Sequence, residues 1–453
     1  MEEHGQVSAA TERKQLQETA TAIFWAAIKA VDPEECVKRR LQLYGTDLLI
    51  GEDFYPLATI GKIFVVGIGK ASAAMARAVE KLLGDRINDG VIITKYGHGM
   101  ALKHCRLFEC GHPVPDANGV EATAALLNLV SQATANDLIL CLISGGGSAL
   151  CPAPAVGITL ADKQATTRLL LASGATIHEI NTIRKHLSRI KGGQLCRAAS
   201  GARMVSLILS DVIGDNLDII ASGITAPDPS TFSDCLAILS RYQLLDKIPA
   251  AVHQHLAAGM DGLAEETPKP GDPLFAEIRN HIIGSITDAL VAAAGKAQTL
   301  GFRPLTLTST LQGEARQAAG VLSDIARESR RSGQPVQPPA CLLAGGETTV
   351  TLRGGGLGGR NMEFALAGAR ALAGTRGIML LSAGTDGTDG PTDAAGAFAD
   401  GATAGRAEAL GMSLAGHLAD NDSYRFFQRL GDLFITGPTR TNVMDLMIFL
   451  VGR

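Results

Sequence analysis

Two glycine-rich segments that follow apolar runs, and a set of acidic and basic residues near similar runs, carry the chemistry this sequence offers. The first segment is VVGIGKAS (65–72). Gly67 and Gly69 allow a tight turn, and a helix beginning after them would offer unpaired N–H groups to an anion. Lys70 falls in the first turn of that helix, where the helix dipole disfavours a cation unless an anion lies beside it. We read it as a phosphate-contacting lysine. The second segment, ISGGGSA (143–149), sets Gly145, Gly146 and Gly147 between Ser144 and Ser148. Three glycines in a row cost folding entropy, which makes sense where a ligand approaches the main chain and hydroxyls add donors. Neither segment is a Walker A loop. GxGxxG is incomplete, because Ser72 stands at the third glycine and the next apolar run ends in Lys95 instead of a ribose-holding acid. A nucleophile elbow fails at Leu150.

Charged residues recur beside such runs. In NTIRKHLSRIKGG (181–193), Asn181, Arg184, Lys185 and Arg189 recur at helical spacing and give one polar face, of which Asn181, Arg184 and Lys185 are candidates for binding the substrate, whereas HExxH fails because residue 182 is Thr. In LSDVIGD (209–215), Asp211 and Asp215 are candidate ligands for Mg2+, which typically needs one or two carboxylates plus phosphate oxygens. Further on, GGETTV places Glu347 after an apolar run, and GGGLGGRN places Arg360 at a helix start, where its fork suits phosphate or carboxylate. The segment SAGTDGTDGPTD (382–393) misses the EF-hand pattern at Thr388 and Gly390, so calcium is not expected. Asp386 is a candidate base toward a hydroxyl, as is Asp211, while Asp389 and Asp393 read as turn formers. Together these groups fit the positioning and charge neutralisation of phosphoryl transfer.

The elements that must position them alternate. Helical periodicity over 11–44, broken at Pro33, precedes apolar strands at 63–68, 91–94, 138–143 and 204–209, with helices at 70–83, 119–134 and 160–172. Continuous apolar strands separated by helices predict a parallel sheet covered on both faces. A proline-rich stretch around 249–273 predicts a junction. A second rhythm follows: helices 285–300, 313–331 and 361–373, and strands 304–308, 340–344, 348–352 and 378–382.

Composition bounds the partners. The chain has 453 residues, 46% hydrophobic and 19% charged, with 52 glycines and a net charge of −4, which excludes a disordered chain and gives no basic field for nucleic acid. Apolar runs such as 138–143 fall far below the ~20 residues of a membrane span. The N-terminus reads as no targeting signal, and eight cysteines without CxxC spacing fit a reduced cytoplasm.

The ordered motifs VVGIGKA, GHPVPDANG, LISGGGSAL, NTIRKHLSRIKGG, SLILSDVIGD, QGEAR, AGGETTV, GGRN, SAGTDGTDGPTDAAGA, NDSY and TGPTRTNVMDL closely resemble the glycerate 2-kinase family over roughly 15–450. The resemblance implies ATP- and Mg2+-dependent conversion of D-glycerate to 2-phosphoglycerate. It also implies a Rossmann-like N-terminal domain, a smaller α/β C-terminal domain with a MOFRL-type region, and a site in the cleft between them. The family's functional lysine and arginine match Lys70 and Arg360. Two departures affect loop rigidity: Met362 follows GGRN where Gln is usual, and Ile224 replaces a proline in the segment 222–225. The expected organisation is a Rossmann-like domain over 1–235, connecting helices over 236–280 and an α/β domain over 281–453, with the MOFRL-type region at about 340–447. The alternative is a nicotinamide-dependent hydroxypyruvate reductase, against which Lys95 and the incomplete GxGxxG argue. The substrates are small molecules, and a homodimer is compatible with the sequence.

Overall fold

The protein is described here from a computed structural model covering residues 2–199 and 201–452. It divides into two compact units, Pro33–Ile283 and the combination of Met1–Asp32 with Gly284–Arg453.

The Pro33–Ile283 unit begins with an antiparallel meander, β1 (Leu41–Tyr44), β2 (Asp47–Ile50) and β3 (Asp53–Pro56). Its main sheet contains β4 (Ile63–Ile68), β5 (Ile87–Lys95), β6 (Arg106–Cys110), β7 (Leu138–Ile143), β8 (Arg203–Leu209) and β9 (Ile278–Gly284). Their order is β6-β5-β4-β7-β8-β9, and the pairs from β6 to β8 are parallel. Every residue of β4 and β7 is buried, as the continuous apolar runs predict for a sheet covered on both faces. Phe64, Val66 and Ile68 enter one core with Leu126 and Leu129 of helix Ala117–Val130. Strand order reverses between β4 and β7, so the chain departs in opposite directions from their carboxyl ends and opens a crevice there.

The stretch read as a connector over 236–280 is built into this unit. Helices Phe232–Arg241 and Ala250–Met260 bury Ile238, Leu239, Val252 and Leu256 against Leu170, Ile180 and Ile183. Its prolines mark helix ends and loops, a local signal that carries no information about which core the flanking helices join.

The other unit is a mixed sheet of β10 (Arg303–Leu311), β11 (Ala340–Gly346), β12 (Ile378–Gly384), β13 (Gly396–Asp400), β14 (Leu433–Phe434) and β15 (Asp445–Val451). The order is β10-β11-β15-β12-β13-β14; only β10 and β11 run parallel, and β15 lies antiparallel between β11 and β12. Residues 348–352 form no strand; Thr349 makes one isolated bridge to Glu314. The first helix, Glu2–Ala30, belongs to this unit and not to the domain read over 1–235. Ala20, Ile23, Phe24 and Ala27 are fully buried, and Arg13 pairs with Asp400 and Asp432 at 2.6 Å each. Amphipathic periodicity names the face a helix buries, not the sheet it buries it on.

Candidate functional site

In the Pro33–Ile283 unit, the loops after β4 and β7 interlock at the switch point. Lys70 N–H donates to Gly145 O (2.9 Å), Ala71 N–H to Ser144 Oγ (3.0 Å), and Ser144 N–H to Ile68 O (3.0 Å). Ser144 therefore ties the two loops together, and Gly67, still within β4, packs against Ile92. Gly69 (φ +130°) has no room for a side chain beside Ser144. Gly145 is required because a Cβ would overlap the carboxylate of Asp211, which projects from the end of β8. A Cβ on Gly146 (φ +85°) would lie 3.1 Å from the His112 ring and 3.2 Å from Lys70 Cγ, so these two side chains flank the glycine loop. Among the described residues, the amides of Gly145 and Gly146 have no acceptor. Burial, with Lys70, Lys95 and His98 nearby, pushes His112 down to about 4, so its ring is neutral beside Lys70 at neutral pH. Open amides and cations at the carboxyl ends of parallel strands are the groups an anion site requires.

A hydroxyl relay leads away from this loop. Ser148 and Ser222 hydroxyls lie 2.5 Å apart, and Ser222 donates to Asn181 Oδ1 (3.1 Å), so Ser148 is the donor to Ser222. Ala221 (φ +49°) and Ser222 (φ +60°) hold left-handed conformations unusual for residues with side chains, and Gly192 and Gly193 donate to the carbonyls of Ser222 and Gly223. Gly147 packs against Ala221. Asn181 sits on helix Ile177–His186, whose start is fixed by a capping box of Thr176 and Glu179. Arg184 lies three residues further along this helix. Lys185 is committed elsewhere, to Asp218 (3.4 Å) and Asp228 (3.3 Å). Asp215 takes φ +54°, and its Oδ1 is buried without a partner among the described residues, an oxygen a cation would satisfy. Among the described residues, no three potential ligand residues cluster to hold a metal ion.

The second unit builds its cluster through strand register. Asp445, the first residue of β15, pairs with Gly346 at the end of β11 and with Gly384 at the end of β12. The loops bearing Glu347 and Asp386 therefore leave on either side of it. Arg360 opens helix Arg360–Ala371 and grips Asp445 with both arms (Nε–Oδ2 2.6 Å, Nη2–Oδ1 3.0 Å), while Nη1 donates to Glu347. Although burial opposes the charge, Asp445 and Glu347 hold the guanidinium pKa above its usual value. Asn361 donates to Asp445 (2.9 Å) and accepts from Ser382 (2.8 Å). Asp389 accepts the N–H groups of Asn361 (3.1 Å) and Met362 (2.8 Å), capping this helix from another loop. Gly359 lacks room for a Cβ because of that carboxylate. Burial pushes Asp389 up to about 7. Asp386 closes its own turn, accepting from the N–H and hydroxyl of Thr388 (3.1 Å each).

The glycine loop before Arg360 is no open cradle. Its five consecutive amides from Arg353 to Leu357 donate to Asn421 Oδ1, Asp420 Oδ1, Asp420 O and Asp422 Oδ1. Sequence reasoning missed His112, Ser222, Asn361 and Asp445 as site residues. For Asp445 the signal was an acid immediately before the last apolar run.

An open glycine loop at a switch point, and an arginine fixed by carboxylates at the ends of a second sheet, are groups that an α/β phosphotransferase needs. Residues 19–257 match a domain of unknown function (DUF4147), and residues 340–445 match the MOFRL family. The D-glycerate 2-kinase of Thermotoga maritima is 42% identical, with 96% of this chain and 98% of that one covered. A crystal structure of glycerate kinase from that organism aligns with a TM-score of 0.86 at 41% identity, covering 97% of this chain and all of that one. The glycerate 2-kinase of Pyrococcus horikoshii is also 42% identical over 96% of this chain and 97% of its own. An Agrobacterium vitis relative, 43% identical over 95% of this chain and 93% of its own, carries a provisional hydroxypyruvate reductase name. The chain belongs to the glycerate 2-kinase family. No helix among the described residues is long and apolar enough to cross a membrane.

Proposed function

We propose that the protein transfers the terminal phosphoryl group of ATP to the 2-hydroxyl of D-glycerate. The hydroxyl oxygen forms the new bond to phosphorus, the bond to the ADP oxygen breaks, and the hydroxyl proton leaves to a carboxylate or water. The observation that carries this reading is the pair of open amides at Gly145 and Gly146 beside Lys70 and His112. The loop receives phosphate oxygens, and Lys70 beside it neutralises charge on the group in flight, while Arg360 keeps the role that the resemblance gives to the family's functional arginine. Of the two candidate carboxylates, Asp386 accepts from Thr388 in its own turn, whereas Asp211 lies against the glycine loop, where a metal ligand for the phosphates is needed. Magnesium, when bound, would be held by Asp211 and Asp215 and would supply charge neutralisation for the nucleotide phosphates. Lys95 at the end of β5, where a nicotinamide enzyme of this fold holds the ribose with an acid, speaks against the reductase reading.

The test is ADP release from magnesium and ATP with D-glycerate, with the product passed to enolase in the absence of a mutase. Phosphoenolpyruvate is the expected outcome. ADP without phosphoenolpyruvate would move the phosphate to the 3-hydroxyl. In the same assay Asp211→Asn should lower kcat about 100-fold or more and Asp386→Asn less than about tenfold.

A further inference from the structure

Three cations of the Pro33–Ile283 unit lie together with no carboxylate among them. Lys163, on helix Leu160–Ala172, is 8% exposed and donates to Leu187 O (2.8 Å); Lys191 is 1% exposed and donates to Cys151 O (3.3 Å). Arg184, partly exposed, makes no hydrogen bond or ion pair among the described residues, although its charge acts on both lysines. Each lysine has three donors and one acceptor is shown for each. The neighbouring Lys185 shows what an ordinary solution looks like, since it is paired with two aspartates. Buried charge is normally paired or bound to an ion, because removing it from water is expensive. Burial and the Arg184 charge push Lys191 down to about 7, and Lys163 is held well below the ordinary lysine range by burial, Lys191 and Arg184. A bound anion would relieve all three.

We propose that Lys163, Arg184 and Lys191 form an oxyanion seat for the carboxylate of the acceptor, with Arg184 touching it and the two lysines supplying positive potential from behind. This rests on the glycerate kinase reading. The cluster adjoins the Ser148–Ser222–Asn181 relay, since Asn181 and Arg184 share a helix and Cys151 follows Ser148 by three residues. The order of groups, phosphate loop, then hydroxyls, then cations, matches the order of transferred group, hydroxyl and carboxylate along a small hydroxy acid. The phosphate loop offers backbone amides, whereas this seat offers a guanidinium fork, which suits a planar carboxylate.

The experiment measures KM for D-glycerate and for ATP, and the preference for D-glycerate over its methyl ester, in the full chain and its variants. Arg184→Gln should raise KM for D-glycerate about 30-fold, and Lys191→Gln and Lys163→Gln about threefold to tenfold, with KM for ATP nearly unchanged. The preference for the free acid over the ester should collapse in Arg184→Gln, an effect a merely structural role would not produce. A rise in KM for ATP alone would assign the cations to nucleotide phosphates and overturn the seat, as would unchanged KM values. If Arg184→Gln does not fold by circular dichroism, Arg184→Lys, which keeps the charge and loses the fork, should raise KM about tenfold. Should the wild-type chain phosphorylate no glycerate, the kinase reading fails separately. Calorimetry then decides the seat: D-glycerate binding that Arg184→Gln abolishes upholds it, and no binding or equal binding overturns it.

Discussion

Lys70 and Arg360 are positioned by different means. Lys70 lies with Lys95, His98 and His112 beside the open amides of the glycine loop. Arg360 is held by Asp445 and Glu347, so its aim is fixed in advance while part of its charge is already answered. Losing Lys70 should therefore act on transfer and not on the fold. Lys70→Met is expected to lower kcat about 100-fold to 1000-fold with stability changed by less than about 1 kcal/mol, as read by turnover and urea unfolding. Asp445→Asn keeps the shape and removes the charge that orients the guanidinium. It should lower kcat about tenfold to 100-fold while leaving KM for D-glycerate within about twofold, a split visible in initial-rate kinetics. The sequence points to Lys70 and Arg360 because each stands beside glycines. Asp445 was not legible, because its partners Arg360 and Asn361 lie 85 and 84 residues away and meet it only through strand register.

At the scale of elements, helix Arg360–Ala371 is capped by a buried acid from a different loop. The folded-state value of Asp389 is raised to about 7 from an ordinary value near 4, chiefly by burial. Between those limits the folded chain holds a proton that the unfolded chain has released, so this group's contribution favours folding at low pH and is lost as pH rises toward 7. The stability of Asp389→Asn relative to wild type should accordingly increase from pH 4.5 to 7.5, measured by denaturant titration; a flat difference would reject the assignment. The apolar runs of β4, β7 and β8 were legible because both of their faces are buried, which leaves a continuous signal. The meander of β1–β3 was not, since β1 was absorbed into the helical periodicity read over 11–44 and the four-residue strands β2 and β3 give too short a pattern to read. Nor was the central place of β15, because pairing between distant strands leaves no local trace.

On the scale of the whole molecule, the first helix is packed with the last strands. Phe24 is fully buried with its ring 5.0 Å from that of Phe434, edge to face. Phe24→Ala should cost about 3–5 kcal/mol, with hydrogen-exchange protection falling in β12 and β15 and holding in β4 and β7. The discontinuous unit also dictates an order of events during translation. Helix Glu2–Ala30 leaves the ribosome about 250 residues ahead of the segment that completes its core. At ~5–20 residues per second that is a wait of roughly 13–50 s, during which Pro33–Ile283 can form while Ile23, Phe24 and Val31 have nothing of their own to pack on. For that interval the apolar face of the helix stays unburied on the nascent chain.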